Sequence, residues 1–101
     1  MESEGKAVVL SDLKDTEDLM NSSDYKERFR AEYLQTKIRY EKLKTFNTRI
    51  EAAMKMKWYT AGEIQEPKHD CPLELLKEQQ EAMGRYLHVL ELRAIIEDIN
   101  L

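Results

Sequence analysis

The chain has 101 residues, is 42% hydrophobic and 36% charged, and carries a formal net charge of −4, which leaves room for one small, heavily solvated domain and excludes a second. No apolar run approaches the ~20 residues that cross a bilayer, and the opening MESEGKAVVL lacks the basic and apolar regions of a secretory signal, so the expected setting is the cytoplasm. Cys71 has no partner for an intrachain disulfide, and three Gly with two Pro supply too little turn chemistry for a many-stranded sheet, so the expected class is all-α.

The charge is distributed in blocks. Residues 1–23 sum to −4, residues 24–57 to +5 and residues 58–101 to −5. An acidic arm, a basic middle and an acidic end are expected to approach one another before any outside partner is considered. The division into domains follows the same lines, with an acidic arm over 1–23 and a helical hairpin over 24–101. Within the arm, Leu10, Leu13 and Met20 have the loose spacing of a short amphipathic turn or helix, with Asp12, Asp15, Glu17 and Asp18 on its outer side.

The basic block reads as one long helix. Asp24 followed three residues later by Glu27 fits a capping box, and no Gly or Pro occurs from there to Gly62. Phe29, Tyr33, Tyr40, Leu43, Ile50 and Met54 share one stripe at a 3.6-residue period, with Thr36 and Asn47 as its polar members. About 35 residues at 1.5 Å rise make a rod of ~50 Å, which is unstable unless its stripe is covered.

A second helix supplies the cover. Pro72 fits a first helical position and Glu74 suits the positive end of the helix dipole. Leu76, Met83, Leu87, Leu90 and Ala94 form the main stripe, flanked by Leu73 and Tyr86, and residues 59–71 connect the two rods. The expected architecture is therefore an antiparallel helical hairpin with a short N-terminal arm or helix. Gly84, inside the second helix, points to a close helix crossing, since otherwise it costs about 1 kcal/mol relative to Ala. Antiparallel pairing makes Asn47 the expected partner of Gln79 or Gln80.

The end of the second helix has apolar residues on two sides. Val89, Leu92, Ile96 and Ile99 recur at three- and four-residue spacing opposite Leu87, Leu90 and Ala94, while Leu34 and Ile38 lie off the main stripe of the first helix. Spare strips on so short a chain predict a homo-oligomer with Val89, Leu92, Ile96 and Ile99 at its interface. The alternative is that Val8, Val9, Leu10 and Leu13 of the arm fold back over one strip.

Catalytic signals are absent from the residue pattern. His69, Asp70 and Cys71 include two metal-ligand types, but the paired short spacings of a zinc site are missing and the other histidine, His88, lies within a helix. No base, thiol and orienting group converge in sequence, so neither catalysis nor a metal or cofactor is expected. The bases of the first helix, with Tyr25, Tyr33, Tyr40, Trp58 and Tyr59, offer phosphate and stacking groups. Their simplest role is a solvated face balanced by the acidic segments. The sharper reading is a pocket between subunits in which Tyr25, Arg28 and Arg39 hold a nucleotide or other small anion. Duplex nucleic acid is disfavoured because the remaining surface is acidic.

The segments SSDYKERFRAEYLQTKIRYEKLKTF and CPLELLKEQQEAMGRYLHVLELRAIIEDINL resemble a family of small proteins from tailed phages and prophages of gut bacteria, labelled crAss-phage-related. The resemblance covers about residues 22–101, leaves out the arm, and contains no catalytic signature. It implies a phage accessory factor acting in the host cytoplasm. By architecture the chain looks like helical-hairpin phage proteins that oligomerise and sequester cyclic nucleotide signals of bacterial immunity. The leading expectation is thus a non-enzymatic counter-defence factor that captures a nucleotide-type signal. The alternative is a protein-binding inhibitor or adaptor that uses its acidic surfaces on a host or phage protein.

Overall fold

The computed structural model describes residues 13–59 and 65–101, without the side chains of Trp58 and Tyr59. The proposed arm contacts through Val8, Val9 and Leu10 and the stacking roles of Trp58 and Tyr59 lie outside the described residues. Every regular element among those described is helical: a 3₁₀ turn at Leu13–Thr16, a one-turn helix α1 at Glu17–Met20, the long helix α2 at Tyr25–Tyr59, and α3 at Leu73–Ile96. The long dimension of 54 Å is set by α2, whose 35 residues span about 52 Å. No helix of the described part is long and apolar enough to cross a membrane.

Local chemistry fixes where each helix starts. Asp24 caps α2, its Oδ1 accepting the Lys26 amide at 3.0 Å and its carbonyl the Arg28 amide at 3.1 Å. The return bond expected from Glu27 comes instead from Ser22, whose Oγ accepts the Asp24 amide at 3.0 Å. Ser22 lies on the incoming chain and closes the bond without a long side chain folding back. At α3, Pro72 stands one position earlier than expected, at the cap itself, with φ −61° and ψ 146°. Its carbonyl accepts the Leu75 and Leu76 amides at 3.1 and 3.2 Å, and Glu74 occupies the first turn as expected.

The end of α3 departs from the periodic expectation. Asp98 adopts a left-handed φ of 58°, the Ile99 amide donates to the Ala94 carbonyl at 2.8 Å, and the Asp98 amide donates to Ile95 at 3.4 Å. This pair of bonds is a Schellman stop, which turns the following apolar residue back onto the helix it ends. Ile99 is accordingly only 7% exposed and packs with Phe29, Leu90 and Ala94, with Tyr33 against the same cluster. It belongs to the hairpin core and leaves the outer strip to which periodicity had assigned it.

The helices pack antiparallel, with the start of α2 beside the end of α3. In the middle, Gly84 meets Tyr40: a Cβ at Gly84 would stand 3.3 Å from Tyr40 Cε1, a tight contact that the ring would have to ease by a few tenths of an ångström. Further along, the Asn47 amide donates to Gln80 Oε1 at 2.9 Å and to the Leu76 carbonyl at 3.2 Å. Ile50 and Ala53 are fully buried beyond it. Replacing an aliphatic residue in such a core, such as Leu90, by Ala costs about 2–5 kcal/mol.

The arm packs against a different side of α2. Buried Thr16 donates its hydroxyl to the Leu13 carbonyl at 2.7 Å and accepts from Gln35 Nε2 at 2.9 Å. Ala31 and Ile38 are buried and Leu34 is half-buried, so the off-stripe residues of α2 are largely withdrawn from water.

Candidate functional site: a groove beside an apolar strip

Among the described residues, most of the exposed large hydrophobic side chains lie on α3. Val89 is 48% and Ile96 81% exposed, and Leu92 and Ile95 are exposed with them. Leu75 and Tyr86 extend the exposed surface toward the start of the helix. Leu75, Ala82, Val89 and Ile96 recur every seven residues, with Tyr86 four after Ala82 and three before Val89, the spacing of a helix-packing seam. Ile95 and Leu75 escaped the sequence reading, although Ile95 lies three residues after Leu92 and Leu75 lies seven before Ala82. Contiguous apolar surface of this kind marks a contact site.

Beside this strip, the space opened by Gly84 forms a groove of about 720 Å³ between the helices. Tyr40 and Gln80 lie along it, Arg85 and His88 stand on its α3 wall with Glu81, and Val89 borders it. The residues here suit an anion with a flat group: a guanidinium for hydrogen bonding, an imidazole, an amide and a phenol ring for stacking. Nearby, partly buried Tyr33 donates to Glu91 Oε2 at 2.7 Å. Burial, and then this carboxylate, push its phenol pKa up to about 12. His88 Nδ1 stands 4.0 Å from Glu91 Oε1, a loose exposed contact.

The three residues nominated from sequence are placed elsewhere. The Tyr25 hydroxyl donates to Glu97 Oε1 at 2.8 Å and accepts from Arg93 Nη2 at 2.7 Å, while Arg93 Nε binds Glu97 Oε2 at 3.0 Å. Tyr25's pKa is raised, chiefly by its bond to Glu97, and Glu97's is lowered by Tyr25 and Arg93. Arg93 also lies 5.0 Å over the Phe29 ring. Arg28 holds the entry turn through Nη1 to the Ser22 carbonyl at 2.9 Å. Arg39 is exposed and eleven residues further along α2, about 16 Å of rise, so the three do not converge within one protomer. Lys26 and Arg30 bind the Asp98 and Asn100 carbonyls, which commits the start of the basic helix to holding the chain end.

The connection to α3 has its own cluster. His69 presents Nδ1 to the Cys71 carbonyl at 2.6 Å and Nε2 to Glu66 Oε2 at 2.9 Å, with its ring edge-on to Phe46. Two acceptors on the two ring nitrogens favour the doubly protonated ring, and His69's pKa is raised first by the carbonyl and then by the carboxylate. Lys57 reaches the same Glu66 at 3.4 Å. Cys71 is exposed and free. Among the described residues no group of three or more His, Cys, Asp or Glu stands where one metal ion could be held.

A protein-family model described as Sequestin matches residues 23–96, and the chain belongs to this family. Neither the curated proteins nor the solved structures gave a match.

Proposed function

We propose that this Sequestin chain is a non-enzymatic phage accessory protein that self-associates through the outer face of α3. On this reading it sequesters an anionic, nucleotide-type immune signal in the host cytoplasm, with the site completed where copies meet. The observation that carries the reading is the position of Val89, which borders the Tyr40–Gly84 groove and also belongs to the exposed strip. A copy docked on that strip walls the groove, shields it from water and strengthens the hydrogen bonds that Arg85 and Gln80 offer an anion. The family name, Sequestin, hints at sequestration, which supports a binding role. The candidate pocket thus moves from Tyr25, Arg28 and Arg39 to Tyr40, Gln80, Arg85 and His88.

Calorimetry of the full chain against cyclic and ADP-ribose-type nucleotides tests the reading. Saturable binding that is lost in a folded Arg85→Glu variant is expected. Flat titrations across the panel from a folded oligomer overturn it.

A second reading rests on Asp15, Glu17 and Asp18, which are exposed on the arm. They would let the chain act as an inhibitor or adaptor on a basic protein surface. A stoichiometric protein partner from infected cells, lost when these acids are neutralised, is the outcome that favours it.

A further inference from the structure

The apolar strip of α3 is charged differently at its two ends. Leu75, Ala82, Val89 and Ile96, all exposed, mark its middle line. Beside the first half stand the exposed acids Glu74, Glu78 and Glu81, while Lys77, the base of that stretch, is turned to Glu51 on α2. Beside the second half stand Arg85, His88 and Arg93. The acids of that half face the hairpin, Glu91 taking the Tyr33 hydroxyl and Glu97 the Tyr25 hydroxyl. The described arm packs on α2 and leaves this face of α3 exposed.

We propose, building on the self-association inferred above, that the strip is covered by α3 of a second copy, laid antiparallel about a two-fold axis that passes between Ala82 and Val89. Two observations select this occupant and its direction. The first is charge. An antiparallel pair sets the acidic half of each helix over the basic half of the other, with Glu81 opposite His88 of the second copy, whereas a parallel pair stacks acid on acid and base on base. The second is size. The same axis sets Leu75 against Ile96 of the second copy and Ala82 against Val89 of the second copy, so the smallest side chain of the line lies beside the axis, where two crossed helices come closest, and meets a branched one.

The consequence falls on the groove. At 100° per residue Glu81, Arg85 and His88 lie along one edge of the strip, the edge on which the Tyr40–Gly84 groove opens. Antiparallel helices related by a two-fold axis bring like edges together. The two grooves therefore open side by side on one face of the pair, each with Arg85 of the second copy near its rim, and groups from both copies can hold a single anion. A parallel pair would leave the grooves on opposite faces.

Cysteine cross-linking of the full chain in a Cys71→Ser background reads the direction. Leu75 and Ile96 are 21 residues apart, about 31 Å along the helix. In the antiparallel pair two Leu75→Cys chains cannot reach one another, nor can two Ile96→Cys chains, while a mixture of the two brings unlike cysteines within disulfide distance. Mild oxidation is expected to give that mixed disulfide at several-fold the yield of either like pair. Like pairs in excess would show a parallel arrangement, and an oligomer that links in no combination would set the strip against another surface; each overturns the proposal and leaves self-association standing. A parent chain that runs as a monomer in light scattering overturns both. In sedimentation, Glu78→Lys with Glu81→Lys is expected to weaken the pair several-fold, by setting bases against Arg85 and His88 of the second copy. Like halves meet in a parallel pair before and after this change, so an unchanged dissociation constant also overturns the proposal.

Discussion

Asn47 is the sharpest place to test how the hairpin is pinned. It is 2% exposed, its Nδ2 serves both the Leu76 carbonyl and Gln80 Oε1, and its Oδ1 is buried without a hydrogen-bond partner. The Leu76 carbonyl can only accept, which fixes the orientation of the amide. In Asn47→Ala two bonds of about 1 kcal/mol each are lost together with some packing, a total of about 2–3 kcal/mol. For a domain of this size that is a fall in Tm on the order of 10 °C. Asn47→Leu loses the same bonds and, like the alanine variant, sheds the unmet acceptor, but it fills the space that alanine leaves empty, so its stability should stay within about 1 kcal/mol. Asn47→Asp is expected to be the worst of the three at pH 7, by about 3 kcal/mol or more, because it buries a carboxylate against an acceptor. It should recover part of that loss as acid neutralises the new group. Urea unfolding followed by circular dichroism gives all three values. Equal stability of Asn47→Asp and Asn47→Ala at pH 7 would refute the argument, since it would mean that water reaches the site.

Four further outcomes follow. The double variant Leu92→Asp with Ile96→Asp should run as a monomer in light scattering with its helix content intact; an unchanged oligomer mass would show that the strip is not the contact. Gly84→Met should fill the groove beside Tyr40, keeping the circular dichroism spectrum of a folded hairpin while weakening nucleotide binding at least tenfold in calorimetry. The His69 proton should titrate above its ordinary 6.5 by NMR, and Glu66→Gln should lower the midpoint. Since the folded value is raised, the stabilisation is complete below 6.5 and is lost as pH rises through the folded pKa. Tyr33 should ionise near pH 12 in an ultraviolet titration, and its contribution to stability should fade between about 10, where the unfolded phenol ionises, and about 12.

The hairpin was legible because most of its core obeys one period, with Met54, 41% exposed, as a stripe member left outside it. Phe29, Ile50, Leu87, Leu90 and Ala94 are all buried, Asn47 pairs with Gln80, and Gly84 sits at the close crossing. Periodicity failed where the helix stops. Ile99 reads as the next member of the Val89–Leu92–Ile96 strip only if α3 continues, and the residue that stops it is Asp98, with none of the glycine that usually marks such a position. The groove was illegible for another reason: it exists because Gly84 faces Tyr40 across the crossing, a relation between distant residues that local spacing does not encode. Tyr25 and Arg28 misled for a third reason. Their chemistry suits an anion, but Tyr25 is taken up by Arg93 and Glu97, and Arg28 by the Ser22 carbonyl.

The blocks of charge behave differently from a simple pairing of basic middle with acidic end. Among the described residues, an ion pair between α2 and α3 joins Lys77 to Glu51 at 2.6 Å, with the acid on the basic helix and the base on the acidic one. Lys26 and Arg30 go to backbone carbonyls past the end of α3. Such exposed contacts are each worth less than about 1 kcal/mol and are screened by salt. Register therefore comes from the apolar cluster around Leu90 and from Asn47, and the alternating blocks act at longer range, bringing three segments of opposite sign together and limiting self-repulsion once they are packed. Bases held by the chain end are not available to a ligand. Any anion taken up by this protein must rely on cations outside that clasp, and of these Arg85 lies in a groove that the exposed strip adjoins.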